Sequence, residues 1–121
     1  MTEKQYTAEY TPEALEQYAE LDSDSQDKIL GAIKSFEILG TQYKNINKLD
    51  YELYEIKPRD VRAYFQYDND RRRIIIVGFI TLKKTQKAPK RYMKQAVRNI
   101  ERYKRSLTDD QTQDYNKWWF D

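Results

Sequence analysis

The sequence predicts an α+β domain in which an N-terminal strand and a helical hairpin pack on a twisted antiparallel β-sheet, followed by a C-terminal basic helix. Three observations carry this reading. Two amphipathic helices with capping residues fall between residues 12 and 40, three segments rich in β-branched and aromatic residues fall between 52 and 81, and a proline opens a cationic stretch at Pro89. At 121 residues the chain has room for one domain with one core.

Gln5 to Tyr10 alternates as a short strand and stops at Thr11-Pro12, an N-cap followed by proline at the first helical position. The first helix is expected over about Pro12 to Leu21, with Leu15, Tyr18, Ala19 and Leu21 inward. After Asp22, Ser23 or Asp24 caps a second helix of about Ser25 to Leu39, in which Ile29, Ala32, Ile33, Phe36 and Leu39 have the spacing of a buried stripe. Gly40 closes it as a C-terminal cap, and the stretch through Asn45, Asn47 and Asp50 reads as a polar loop. Glu52 to Ile56, Val61 to Tyr67 and Arg72 to Thr81 then form an antiparallel meander, with Asp68-Asn69-Asp70 as a hairpin turn.

Alternation in the middle strand puts Val61, Ala63, Phe65 and Tyr67 on one face and Arg62, Tyr64 and Gln66 on the other. The two helices cover the first face, which leaves Arg62 and Tyr64 on an open one. A third helix from near Pro89 to about Ser106 turns Met93, Ala96, Ile100, Tyr103 and Leu107 inward and Arg91, Lys94, Arg98, Arg102 and Arg105 outward. Residues 1–107 make up the domain. Residues 108–121 form an acidic tail that ends in Trp118-Trp119-Phe120, and aromatics of that size are expected to dock, either on the domain's own helices, the favoured surface, or on a partner such as the antitoxin or a second copy.

Charge is distributed unevenly along this layout. Residues 1–56 carry 5 basic and 12 acidic side chains, residues 57–105 carry 16 and 4, and residues 106–121 carry 1 and 4, so a net charge of +2 conceals a strongly basic segment. Such asymmetry points to nucleic acid or an acidic partner, because each phosphate neutralised releases condensed counterions. The chain has no histidine and no cysteine, which excludes a Ser-His-Asp triad, histidine- or cysteine-ligated zinc, thiol catalysis and disulfides. Its three glycines form no phosphate-binding loop. The longest apolar run, about eight residues after Arg73, is far too short to span a bilayer. No membrane role and no metal or other cofactor is expected, and the location is expected to be cytoplasmic.

The chemistry must therefore rest on Arg, Lys, Tyr and carboxylates. If the strands pair as read, Lys57, Arg59, Arg62, Tyr64, Lys83, Lys84, Lys87 and Tyr92 converge at one end of the sheet. Arg offers a planar fork for phosphate, Lys a mobile point charge, and Tyr a face for a base or a phenol for proton transfer. Asp68 and Asp70 belong to the turn.

The stretch Leu53-Tyr54-Glu55-Ile56-Lys57-Pro58-Arg59, then Val61-Arg62-Ala63-Tyr64-Phe65, then Gly78-Phe79 and the loop Lys83-Lys84-Thr85-Gln86-Lys87-Ala88-Pro89 resembles the RelE/ParE superfamily of type II toxin–antitoxin toxins. It is most similar to the HigB-like, phage-derived branch, over about residues 4 to 105. The resemblance implies a metal-independent endoribonuclease, an mRNA interferase acting at the ribosome, that is neutralised by a helix-turn-helix antitoxin. Carried over by position, Arg62 is expected to contact the scissile phosphate with the basic-loop residues Lys83, Lys84 and Lys87, and Lys57 and Arg59 to add positive charge. The expected catalytic set is Arg62, Lys84, Lys87, Tyr92 and Tyr64, the last as a phenol able to give or take a proton, and Lys57, Arg59, Lys83, Lys90, Arg91 and Lys94 are expected to bind RNA. Where the family often has an acidic residue three positions after the loop proline, this chain has Tyr92, either a phenol inserted near the site or a packing residue at the helix start. The alternative that the resemblance leaves open is a ParE-like toxin that inhibits DNA gyrase without cutting RNA.

Overall fold

The computed structural model describes residues 3–82 and 87–120, with side chains up to Thr108. β1 (Thr7–Tyr10) leads into α1 (Pro12–Glu20), where Thr11 accepts a hydrogen bond from the Ala14 amide and Pro12 takes a position that needs no amide partner. α2 spans Ser23–Leu39. Its cap is Asp22, whose carboxylate accepts from the Ser25 amide at 2.8 Å, one or two residues earlier than expected because Asp competes as well as Ser for this role. Gly40 ends α2 at φ 59°, a conformation that costs a side-chain-bearing residue more. β2 (Ile46–Lys48), β3 (Tyr54–Ile56), β4 (Val61–Tyr67), β5 (Ile74–Leu82) and α3 (Lys90–Phe120) follow.

The sheet has five strands in the order β1-β5-β4-β3-β2, and it is mixed rather than purely antiparallel, because β1 runs parallel to β5. β2 lies in the segment expected to be loop. It pairs with β3 through Ile46↔Ile56 and Lys48↔Tyr54, and the connecting turn places Tyr51 and Glu52 at φ 63° and 61°. α3 outruns its expected end near Ser106, since no glycine or proline interrupts residues 90–120. The aromatic docking expected of Trp118, Trp119 and Phe120 falls on side chains outside those described.

α1 and α2 cover one sheet face, where Ile29, Ile33 and Phe36 pack on Val61, Ala63, Phe65, Ile75 and Val77. Ala14 is buried in this layer while Leu15 and Leu39 face outward, the reverse of the expected stripe edges. The other face is not open. Met93, Ala96 and Ile100 of α3 pack there on Leu53, Tyr64 and Ile76. Burying Met93 and Ile100 contributes about 3–6 kcal/mol, which exposure of that face would forfeit.

Gly78 makes this second layer close. The β4–β5 register slips between Tyr64 and Phe65, which pair with Phe79 and Val77 respectively, so Gly78 is the extra residue of a bulge. A Cβ at Gly78 would lie 2.7 Å from the Ala96 carbonyl oxygen and 2.7 Å from Ile100 Cγ1. Its own carbonyl accepts a 2.9 Å hydrogen bond from Asn99 Nδ2 on α3.

At the opposite end of the sheet from the basic loop, Arg71 donates to both Glu9 oxygens (2.7 and 2.8 Å) and to Asp68 (2.8 Å), while the Tyr103 hydroxyl donates to Glu9 at 2.8 Å. The Arg71 hydrogen bond holds the Glu9 carboxyl below its usual 4.5 against the opposing effect of burial. Burial likewise works against ionisation of Asp68, but the Arg71 and Asp70 hydrogen bonds outweigh it and leave its pKa below 3.8. Both shifts are depressions, so the stability they confer is complete above the unfolded-state values and is lost as pH falls through the folded ones. Urea midpoints are therefore expected to drop below about pH 4.5 and to drop less in Arg71→Met. Parallel pH profiles for the two chains would dissociate this network from acid sensitivity.

Candidate nucleic-acid site

The end of the sheet where β3 stops, β4 starts and β5 leaves for α3 gathers most of the cations the sequence singles out. Arg62 pairs with Thr81 across β4 and β5, and Lys57 follows Ile56, the partner of Ala63. Lys87, Lys90, Arg91 and Lys94 lie on the approach to α3 and its first turns and are exposed, as is Arg59, whereas Lys57 is half-buried. Lys83 and Lys84 lie outside the described residues.

Arg62 and Tyr64 do not sit on an open face as expected, because α3 packs over it. Arg62 is 8% exposed; its Nη1 donates to the carbonyls of Arg59 and Val61, and its Nε lies 3.7 Å from Glu55 Oε2. These bonds tie the guanidinium to the Lys57–Asp60 turn and fix its plane. Tyr64 is 2% exposed and stacks on Phe79 at 5.8 Å; Phe79 stacks in turn on Tyr92 at 4.9 Å, and the Arg91 guanidinium lies 5.0 Å above the Tyr92 ring. The column runs from the sheet interior to half-buried Tyr92 at the surface. Burial, reinforced by the Glu55 charge, pushes the Tyr64 phenol up to about 12, so it is protonated at neutral pH.

Beside this column an open groove of about 550 Å³ lies between β2 and the start of α3, lined by Asn47, Lys48, Leu49, Asp50, Glu55, Lys87, Ala88 and Met93. Its charge is mixed rather than purely cationic. Glu55 is 7% exposed, and Asn47 Nδ2 reaches its Oε1 at 3.5 Å. Sequence reasoning passed over Glu55 and the β2 residues. The signal for Glu55 was a carboxylate between Tyr54 and Ile56 in an apolar strand, a position at which charge is retained only with a partner.

The helical hairpin on one sheet face and the third helix closing the other define a RelE-type fold. The structure is similar to a chain of the archaeal RelE–RelB complex from Pyrococcus horikoshii OT3, with a TM-score of 0.54 and 13% identity over 65% of this chain and 96% of that one. It is also similar, with a TM-score of 0.48 and 15% identity over 65% and 99%, to a chain of the toxin–antitoxin complex RelBE2 from Mycobacterium tuberculosis. Residues 16–101 match the family described as Phage derived protein Gp49-like, and the chain belongs to that family. No curated protein matches the sequence.

Proposed function

We propose that this chain is the toxin of a type II toxin–antitoxin module, a HigB-like endoribonuclease that cuts mRNA at the ribosome in the cytoplasm and is held inactive by a helix-turn-helix antitoxin. The observation that carries the reading is the convergence of Lys57, Arg59, Arg62, Lys87, Lys90 and Arg91 on one end of a RelE-type sheet, beside a groove with a carboxylate in its wall. Cleavage needs a 2′-hydroxyl deprotonated, the charge on phosphorus stabilised and the 5′-oxygen protonated. Arg62, buried and held in place, takes the second role, since a preorganised cation in a partly dry site stabilises developing charge, and Lys84 and Lys87 add to it as the family pattern implies. Glu55 is suited to accept the proton, a role the sequence left without an owner. Tyr92, at the surface end of its stack, is the donor more accessible than Tyr64.

Induction of the chain alone is expected to arrest bacterial growth, with primer extension showing cuts at codon-defined positions. Lys87→Ala, at an exposed position, should lower cleavage on the order of 100-fold while circular dichroism shows the fold retained. Intact transcripts together with gyrase-linked DNA breaks would replace this reading with the ParE-like one.

A further inference from the structure

From Arg91 and Lys94, which belong to the cations beside the groove, a cationic row continues along the outer face of α3 into Arg98, Arg102 and Arg105, which the groove does not use. Arg91, Lys94, Arg98, Arg102 and Arg105 are all exposed. Helical rise separates them by about 4.5 or 6 Å along the axis and by about 21 Å from first to last. Arg98, Arg102 and Arg105 line a shallow polar depression of about 410 Å³ with Gln95 and Glu101. Arg102 also reaches Asn99 Oδ1 at 2.9 Å and Glu13 at 3.6 Å, which steadies its head group without burying it.

We propose that this row is a second RNA-binding surface, one that grips the phosphate backbone of a paired RNA segment next to the groove. The row is straight and rigid, and its steps of about 6 Å are on the scale of the separation between successive phosphates. Beyond Tyr92, whose ring lies under the Arg91 guanidinium, the row meets no stacking platform as far as Thr108. The two aromatics of α3 up to Thr108 are Tyr92, stacked on Phe79, and Tyr103, hydrogen-bonded to Glu9, so both are engaged with the sheet side. Single strands are held chiefly by stacking on aromatics. A face of cations without aromatics reads phosphates, and paired RNA is recognised through phosphates and shape. The acidic residues 1–56 repel the same polyanion and so orient the molecule with α3 toward it.

The proposal deepens the ribonuclease reading and rests on it for its place beside the groove, but its test does not require cleavage. The probe is a blunt RNA duplex titrated with salt against the parent chain, the triple variant Arg98→Gln, Arg102→Gln, Arg105→Gln, and a charge-matched control, Lys34→Gln, Lys44→Gln, Arg72→Gln, also at exposed positions. Loss of three phosphate contacts should weaken duplex binding on the order of 100-fold near 0.1 M salt and reduce the log–log salt slope by roughly 2 to 3. The control should bind as the parent does. Equal duplex binding by the triple variant, or no duplex binding by the parent, overturns the proposal. So does a loss confined to an acidic protein partner, which makes the row a protein-docking face. If the duplex result holds while translated mRNA stays uncut, the surface stands and the nuclease reading falls; cleavage with unchanged duplex binding sinks the surface alone.

Discussion

Arg62→Ala is expected to destabilise the fold by about 3 kcal/mol as well as to stop cleavage, because it strands the Glu55 carboxylate at 7% exposure. The figure is at the low end for a broken buried pair, since the Arg62–Glu55 separation is 3.7 Å and Glu55 also lines an open groove. For a domain of this size the midpoint should fall by roughly 10 °C. A loss of activity in that variant alone would therefore say little about chemistry. Combining Arg62→Met with Glu55→Leu removes both charges and should recover most of the stability, while cleavage remains absent. Thermal melts and mRNA cleavage for both variants separate the two effects. If the single variant melts with the parent, the pair carries no stability; if the double variant cuts RNA, neither residue belongs to the site.

Gly78→Val should be the most damaging change at a position without charge. Even the Cβ atom, before either methyl group, would meet the Ala96 carbonyl and Ile100 at 2.7 Å, and α3 must retreat from β5 to admit it. Retreat also breaks the Asn99 bond to the Gly78 carbonyl and strands an amide that is 1% exposed. Overpacking of this kind costs about 1–3 kcal/mol, and the orphaned amide adds about 1–3 more. Urea unfolding should show a loss of about 2–6 kcal/mol. Gly31→Ala is the matched comparison: nothing lies within 4 Å of its Cβ position, and in a helix it should gain about 0.5–1 kcal/mol. A Gly78→Val protein as stable as the parent would mean that α3 does not need the close approach.

Much of this architecture was readable from local signals. The caps at Thr11 and Gly40, the alternation of β4 and the apolar run of β5 are near-neighbour patterns, and the structure follows them. The motif Gly78-Phe79 was visible too, but only the bulge explains it, since the slip turns both residues toward α3. The failures lie where the deciding contact is distant in sequence. β2 is a three-residue edge strand whose hairpin turn uses Tyr51-Glu52 in place of the Asn-Gly that would announce it. The burial of Arg62 and Tyr64 follows from α3 packing over their face, which alternation within β4 cannot reveal. Of the candidate site, the nearness of Lys57 to Arg62 was legible because strand order sets the register; for Glu55 the sequence offered a charge in an apolar strand but not its partner Arg62, which lies on the next strand.

The parallel pairing of β1 with β5 governs timing. Thr7 to Tyr10 find their ladder partners only in Ile74 to Val77, and the second sheet face closes only when Met93 and Ile100 arrive. At synthesis rates of about 5–20 residues per second, the interval between Tyr10 and Ile100 is roughly 5 to 20 s. Until then the sheet lacks the layer that covers its second face, and the parallel pairing of β1 with β5 is itself long-range and slow to form. The groove thus forms only after residues 47–93 have all been made. For an enzyme with the function proposed above, the emerging polypeptide is harmless to the machinery producing it, and an inhibitor already present has those seconds to be waiting when the groove forms.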